Sequence, residues 1–95
     1  MLSGKQKRYL RAKGNTLPAI FQIGKDGLHQ TQIDSIDDAL EAHELIKIKI
    51  LESCQQSKNE VALELSRYTK SEVVQILGRT IILYRASKKE LYHLP

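Results

Sequence analysis

A chain of 95 residues, 41% hydrophobic and 27% charged, has room for one compact core and not for two. Its single cysteine excludes an internal disulfide framework, and its longest apolar runs, such as Ile81-Ile82-Leu83-Tyr84, are too short for a membrane span. The net charge of +4 hides a segregation: residues 1–25 carry Lys5, Lys7, Arg8, Arg11, Lys13 and Lys25 with no acid, whereas residues 26–44 carry Asp26, Asp34, Asp37, Asp38, Glu41 and Glu44 with no Lys or Arg. Such a field draws a polyanion to one side and repels it from the other. No apolar segment follows the early charges, so a signal peptide is not expected, and Cys54 suits a reducing, cytoplasmic setting as a small, partly buried side chain.

Residues 3–13 read as a helix, with Ser3 as N-cap and Gly14-Asn15 as the stop. Its apolar content is thin (Leu2, Tyr9, Leu10, Ala12), so it packs by a narrow edge and leaves its basic residues to solvent or a partner. Leu17-Pro18 forces an extended entry into a strand over 19–23, with Phe21 and Ile23 on one face. A second helix is predicted over 28–43, with Leu28, Ile33, Ile36, Ala39 and Leu40 as its apolar stripe; Thr31-Gln32-Ile33-Asp34 is a candidate capping box, and a start two residues earlier, at His29, is the alternative. Leu45 to Ile50 is the clearest strand: Ile46, Ile48 and Ile50 point one way, Lys47 and Lys49 the other, which implies a buried and a polar sheet face. A third helix follows over 58–68, with Val61, Ala62, Leu65 and Tyr68 inward. Two β-branched-rich strands, 72–77 and 80–85, are joined by Gly78-Arg79, a two-residue loop suited to a type II′ hairpin. Residues 86–95 read as a tail. The order α-β-α-β-α-β-β indicates one domain with a four-stranded mixed sheet, of the α/β or α+β sandwich class.

The stretch Gly24-Lys25-Asp26-Gly27 lies between the first strand and the second helix. Two glycines let the backbone turn tightly and approach another molecule closely, and the helix start beyond them offers unpaired N–H groups with a partial positive charge. With Lys25 added, the combination suits a phosphate, and in a small basic protein that phosphate belongs to a nucleic acid. Lys5, Lys7, Arg8, Arg11 and Lys13 on the first helix, and Arg79 and Arg85 on the last hairpin, supply further cations. Phosphate contacts position a nucleic acid without reading its sequence. The aromatic residues are few, and Phe21 and Tyr68 read as core, so the expected mode is recognition of the shape and backbone of folded RNA rather than base stacking.

Other chemistry is poorly supplied. His29, His43 and His93 have no zinc-helix spacing, so neither metal nor cofactor is expected. The acids of the second helix lie opposite its apolar stripe with no evident pocket to separate their pKa values. No nucleophile elbow, P-loop or dinucleotide fingerprint is present, and an enzyme is not expected.

The chain resembles the CRM domain, and in particular its stand-alone bacterial YhbY-like form. The resemblance covers essentially the whole chain. It rests on Lys5-Gln6-Lys7-Arg8 with Leu10, on Ile23-Gly24-Lys25-Asp26-Gly27-Leu28, on His43-Glu44-Leu45-Ile46-Lys47-Ile48-Lys49-Ile50, and on Val74-Gln75-Ile76-Leu77-Gly78-Arg79-Thr80-Ile81-Ile82-Leu83-Tyr84-Arg85. It implies a fold similar to the C-terminal domain of bacterial translation initiation factor three, preceded by an extra helix. It also implies RNA binding through Gly24, Lys25 and Gly27, in a loop likened to that of KH domains, with the basic first helix, Arg79 and Arg85 beside it. Single-domain bacterial members are associated with precursors of the large ribosomal subunit. His29 stands where the family usually has Thr, which moves the expected cap to Thr31, and Ala86 stands where it often has Pro.

The expectation is therefore a cytoplasmic, monomeric protein that binds ribosomal RNA during large-subunit maturation. One alternative is a protein-interaction module that docks on a ribosome-associated protein through the acidic helix or an open sheet face. Another is DNA binding, for which no helix-turn-helix spacing is visible.

Overall fold

The alternation of Ile46, Ile48 and Ile50 with Lys47 and Lys49 builds a strand at the centre of the molecule. In the computed structural model, which describes residues 2–95, it is β2 (Leu45–Ile50). It lies between β1 (Ala19–Ile23) and β4 (Thr80–Tyr84), and β3 (Glu72–Leu77) completes the sheet in the order β1-β2-β4-β3. β1 runs parallel to β2, with Ile23 beside Ile50, and β4 is antiparallel to both β2 and β3. The mixed sheet and the order of elements are those the sequence predicts.

Side chains alternate along a strand, so the sheet has two chemically distinct faces. One carries Ile46, Ile48, Ile50, Ile81 and Leu83 and is covered by α2 (Gln30–His43) and α3 (Lys58–Thr69). Ile33, Ile36 and Leu40 from α2, and Val61, Ala62 and Leu65 from α3, complete this core. Each fully buried Ile or Leu contributes about 1.5–3 kcal/mol.

The second face is not left open, as the lysines of β2 suggested. α1 (Gly4–Gly14) crosses it, and Leu10 packs with Leu45, Val74, Ile82 and Tyr84. The reason lies in β4: Ile81 to Tyr84 are all buried, an unbroken apolar run of the kind found in strands covered on both faces. α1 starts in a capping box, in which Gln6 N–H donates to Ser3 Oγ at 3.1 Å and Ser3 N–H donates to Gln6 Oε1 at 3.0 Å. Its last residue, Gly14, lies so close to the sheet that an added Cβ would stand 2.8 Å from Ile82 Cδ1.

Residues 86–95 form no helix or strand, yet they are tied down. Tyr92 and Leu94 pack on the second core, and the Tyr92 ring meets Tyr84 edge-on with 6.4 Å between centroids. The tie is Glu44, which is 1% exposed. Its Oε2 accepts from Ser87 N–H (3.1 Å), Ser87 Oγ (2.8 Å) and Leu91 N–H (3.1 Å), and its Oε1 accepts from Tyr92 N–H (3.2 Å). Glu44 closes α2 at φ +64°, a conformation that favours glycine at helix ends. A glutamate there is explained by what its carboxylate holds. Burial pushes the carboxyl up, but the Ser87 hydroxyl and the amides of Leu91, Ser87 and Tyr92 outweigh it and hold the group below its ordinary range.

Two local expectations are corrected. α2 begins at Gln30 with His29 as N-cap and no capping side chain, so Thr31 lies inside the helix rather than before it. Tyr68 is 66% exposed, because Thr69 continues the Val61–Ala62–Leu65 stripe and Tyr68 falls at its edge.

Glu44→Ala should lower stability at neutral pH by about 2–3 kcal/mol, read from urea unfolding, because it strands the amides that the carboxylate satisfies. A group held below its ordinary pKa stabilises fully above the unfolded value and loses that contribution as pH falls through the folded one. The difference between native and variant chains should therefore shrink as the solution is acidified below the ordinary carboxylate range.

Candidate nucleic-acid interface

Gly24-Lys25-Asp26-Gly27 leaves the end of β1 as a tight turn, closed by Gly27 N–H donating to the Gly24 carbonyl at 2.9 Å. Gly27 has φ +70°, and a Cβ there would stand 2.6 Å from Gln56 Oε1. That same oxygen accepts Leu28 N–H at 3.0 Å, and Gln56 Nε2 donates to Glu64 Oε1 at 3.1 Å. Gln56 thus braces the turn against α3. Gly24 is a different case. Its φ is not positive, and an added Cβ would make ordinary contact, 3.6 Å from Leu51 Cδ1. The fold does not demand glycine at this position, which leaves main chain bare at a partly exposed bend. Lys25 and Asp26 are exposed at its corners.

Two hydrogen bonds gather other segments at the same end of the sheet. Leu51 N–H donates to the Ile23 carbonyl (2.9 Å) and Ile50 N–H to the Arg79 carbonyl (2.7 Å). In the β3–β4 hairpin Gly78 has φ +58° and Arg79 does not have a positive φ, as a type II′ turn requires. Arg79 is exposed at the tip, and Lys58 Nζ donates to the Gly78 carbonyl at 2.8 Å. A cleft of about 590 Å³ between this hairpin and the loop that joins β2 to α3 is lined by Cys54, Gln56, Lys58 and Arg79 among others. Lys25, Lys58 and Arg79 therefore share one end of the molecule.

The basic helix lies elsewhere. α1 packs on the face of the sheet opposite α2, so its Lys5, Lys7, Arg8, Arg11 and Lys13 do not sit against the glycine turn. What joins the two is β2. Lys47 and Lys49 point to the α1 side, and Lys49 pairs with Gln22, two residues before Gly24. Lys47 Nζ donates to the Asn15 carbonyl at 3.4 Å, at the negative end of α1. Among the described residues, none of these seven cations pairs with a carboxylate. They form one basic face, while α2 exposes Asp34, Asp38 and Glu41 across the sheet. Sequence reasoning placed Lys47 and Lys49 on a polar face without assigning them to the site. The signal was their alternation with isoleucine, but its meaning depended on where α1 packs.

Arg85 does not belong to this surface. Its guanidinium donates to Asp37 Oδ1 at 2.6 Å, to the Thr69 carbonyl at 2.7 Å and to the Asp37 carbonyl at 3.0 Å, which ties the end of β4 to α2 and α3. The expected phosphate contact is corrected to a structural one, because the group is already committed inside the protein. A second cavity of about 590 Å³ lies beneath α1, and none of the acids of α2 lines either cavity. Neither cavity brings His29 together with the acids of α2. Among the described residues, no group of His, Cys, Asp and Glu is arranged to hold a metal ion, and no helix is long and apolar enough to cross a membrane.

A three-helix, four-stranded mixed α/β domain with a glycine turn at one end of its sheet and a cationic face defines a recognisable class. The chain belongs to the CRS1/YhbY (CRM) domain family, whose pattern matches residues 2–85. It is 49% identical over 89 residues to the "Probable RNA-binding protein YqeI" of Bacillus subtilis, covering 94% of this chain and 93% of that one. It is 34% identical over 94 residues to an "RNA-binding protein" of Haemophilus influenzae, covering 99% and 95%. The solution structure of the hypothetical protein SAV1595 from Staphylococcus aureus superposes with a TM-score of 0.84 at 48% identity over the whole of both chains.

The two loop glycines should behave differently. Gly27→Ala should cost about 1–2 kcal/mol in thermal or urea unfolding, whereas Gly24→Ala should stay within about 0.5 kcal/mol of the native chain. Arg85→Ala should lower stability by about 1–3 kcal/mol, the loss expected when hydrogen bonds to a charged group are removed.

Proposed function

We propose that this protein is a non-catalytic RNA-binding factor that acts in the cytoplasm as a monomer. Its target is ribosomal RNA of the precursor large subunit, whose maturation it assists. The observation that carries the reading is the basic face, on which lysines and arginines from α1 and β2 stand without carboxylate partners among the described residues. Unpaired cations neutralise phosphates at little cost, because no internal ion pair has to be broken first. The glycine turn adds a bare main chain beside Lys25, and Arg79 extends the same end. The relatives named as RNA-binding proteins support RNA as the partner. The charge segregation supports a fixed orientation on it, with the acidic α2 turned away.

On this reading Lys5, Lys7, Arg8, Arg11, Lys13, Lys25, Lys49 and Arg79 are the cations available to position the RNA backbone, and they do not read bases. Gly24 leaves main chain bare for the approach to that backbone, and Gly27, buried against Gln56, holds the shape of the turn. Affinity is then dominated by counterion release and is steeply salt-dependent.

Filter binding of a folded large-subunit RNA fragment should give log K falling against log salt with a slope near −3.5, for about five neutralised phosphates on single-stranded segments. Lys25→Gln and Lys49→Gln should each reduce the magnitude of that slope by roughly 0.7 without changing the melting temperature. A salt-independent affinity, or equal competition by duplex DNA, would count against the proposal. In cells, crosslinking and sequencing should recover large-subunit ribosomal RNA. Protein partners that persist in nuclease-treated lysate while RNA recovery fails would favour a protein-docking role.

A further inference from the structure

The cavity beneath α1 lies where β1 and β2 begin, and no part of the glycine turn lines it. Its volume, about 590 Å³, falls within the ~300–1,000 Å³ range of small-molecule sites. Tyr9, Lys13, Leu17, Lys47 and Tyr92 are among the residues that line it. They come from a helix, a connecting segment, a strand and the C-terminal segment, so only the folded chain assembles them.

Three properties of this lining point the same way. First, it holds two amines without carboxylate partners among the described residues. Lys13 Nζ stands 5.5 Å from the centroid of the Tyr9 ring, and Lys47 Nζ reaches only the Asn15 carbonyl, at 3.4 Å. Second, it holds aromatic and aliphatic surface, from Tyr9, Tyr92 and Leu17, against which a flat ring can lie. Third, it is preformed. Glu44 fixes Tyr92 through its main-chain N–H at 3.2 Å, and the Tyr92 ring rests edge-on against Tyr84. An anion alone would use the amines and leave the rings idle. An apolar ligand would desolvate the amines without compensation. A nucleotide, with a planar base and a phosphate, uses both.

We propose that this cavity takes one unstacked nucleotide, with its base beside Tyr9 and Tyr92 and its phosphate between Lys13 and Lys47. The inference rests on the RNA-binding reading above and extends it from backbone contacts to the capture of a base. Ile20, in the cavity lining, lies four residues before Gly24, which directly follows β1, a span of roughly 13 Å at ~3.3 Å per residue. About four stacked nucleotides at ~3.4 Å each cover that distance, so one strand reaches both the cavity and the turn.

Amide NMR of the isotope-labelled full chain titrated with uridine monophosphate tests it. Saturable shifts are expected at Tyr9, Lys13, Lys47 and Tyr92, with smaller ones for inorganic phosphate. Lys47→Gln should weaken binding about tenfold, as loss of one charge-assisted contact implies, and Lys47→Arg should restore it, which a mere folding defect would not allow. Arg67→Gln, exposed on α3 and absent from the cavity lining, should leave these shifts unchanged. The inference is overturned if millimolar nucleotide moves none of these amides. It is equally overturned if phosphate alone matches the nucleotide, or if a tetraglutamate peptide binds the cavity more tightly. The broader reading is judged separately, by whether Lys25→Gln and Lys49→Gln weaken binding to folded ribosomal RNA.

Discussion

The structure depends on the period-two alternation of β2. Ile46, Ile48 and Ile50 enter one core with α2 and α3, while Lys47 and Lys49 are forced onto the opposite side by the pleat. A shift of one residue would bury two lysines and expose three isoleucines, so the register is strongly specified. That constraint also decides the electrostatics. The side that cannot take charge receives the acidic helix by its apolar stripe, with Asp34, Asp38 and Glu41 turned outward. The side that carries lysines receives the basic helix.

Covering this second side is a compromise. α1 brings only a narrow apolar edge, centred on Leu10, and Gly14 lets the backbone come close to Ile82. The C-terminal segment supplies the remaining apolar cover through Tyr92 and Leu94. Its attachment is polar rather than apolar. One buried carboxylate, Glu44, satisfies main-chain amides that would otherwise be buried without partners. Because α1 does not fill the face, a cavity remains between it, the start of the sheet and the C-terminal segment. Incomplete cover and available lysines arise from the same cause: a helix too polar to seal the sheet.

At the other end, the glycine turn combines two roles in four residues. Gly27 is required by the fold, through its positive φ and the side chain of Gln56. Gly24 is not, and its bare main chain stands beside Lys25 and, through the pairing of Gln22 with Lys49, beside the basic face. The turn is therefore rigidly placed by Gln56 and Glu64 while its surface stays accessible. A rigid, exposed backbone suits contacts with a phosphate chain, which require position more than side-chain adaptation.

Much of this was legible in the chain itself. Strand alternation, the apolar stripe of Ile33, Ile36 and Leu40, the Ser3 cap, the Gly78-Arg79 hairpin and the sorting of charge are local properties, written within a few residues of one another. They determine the elements, their order and the existence of a cationic pole. Tertiary structure alone decided which face α1 covers, because its thin apolar edge fits Leu45 and Ile82 across a long separation in sequence. Only the packed molecule shows Arg85 committed to Asp37, Tyr68 displaced by Thr69, and Lys47 brought to Tyr9 and Tyr92. A charge pattern states how many cations there are. Which of them are already engaged, and which face the same solvent, follows from contacts between residues far apart in the chain.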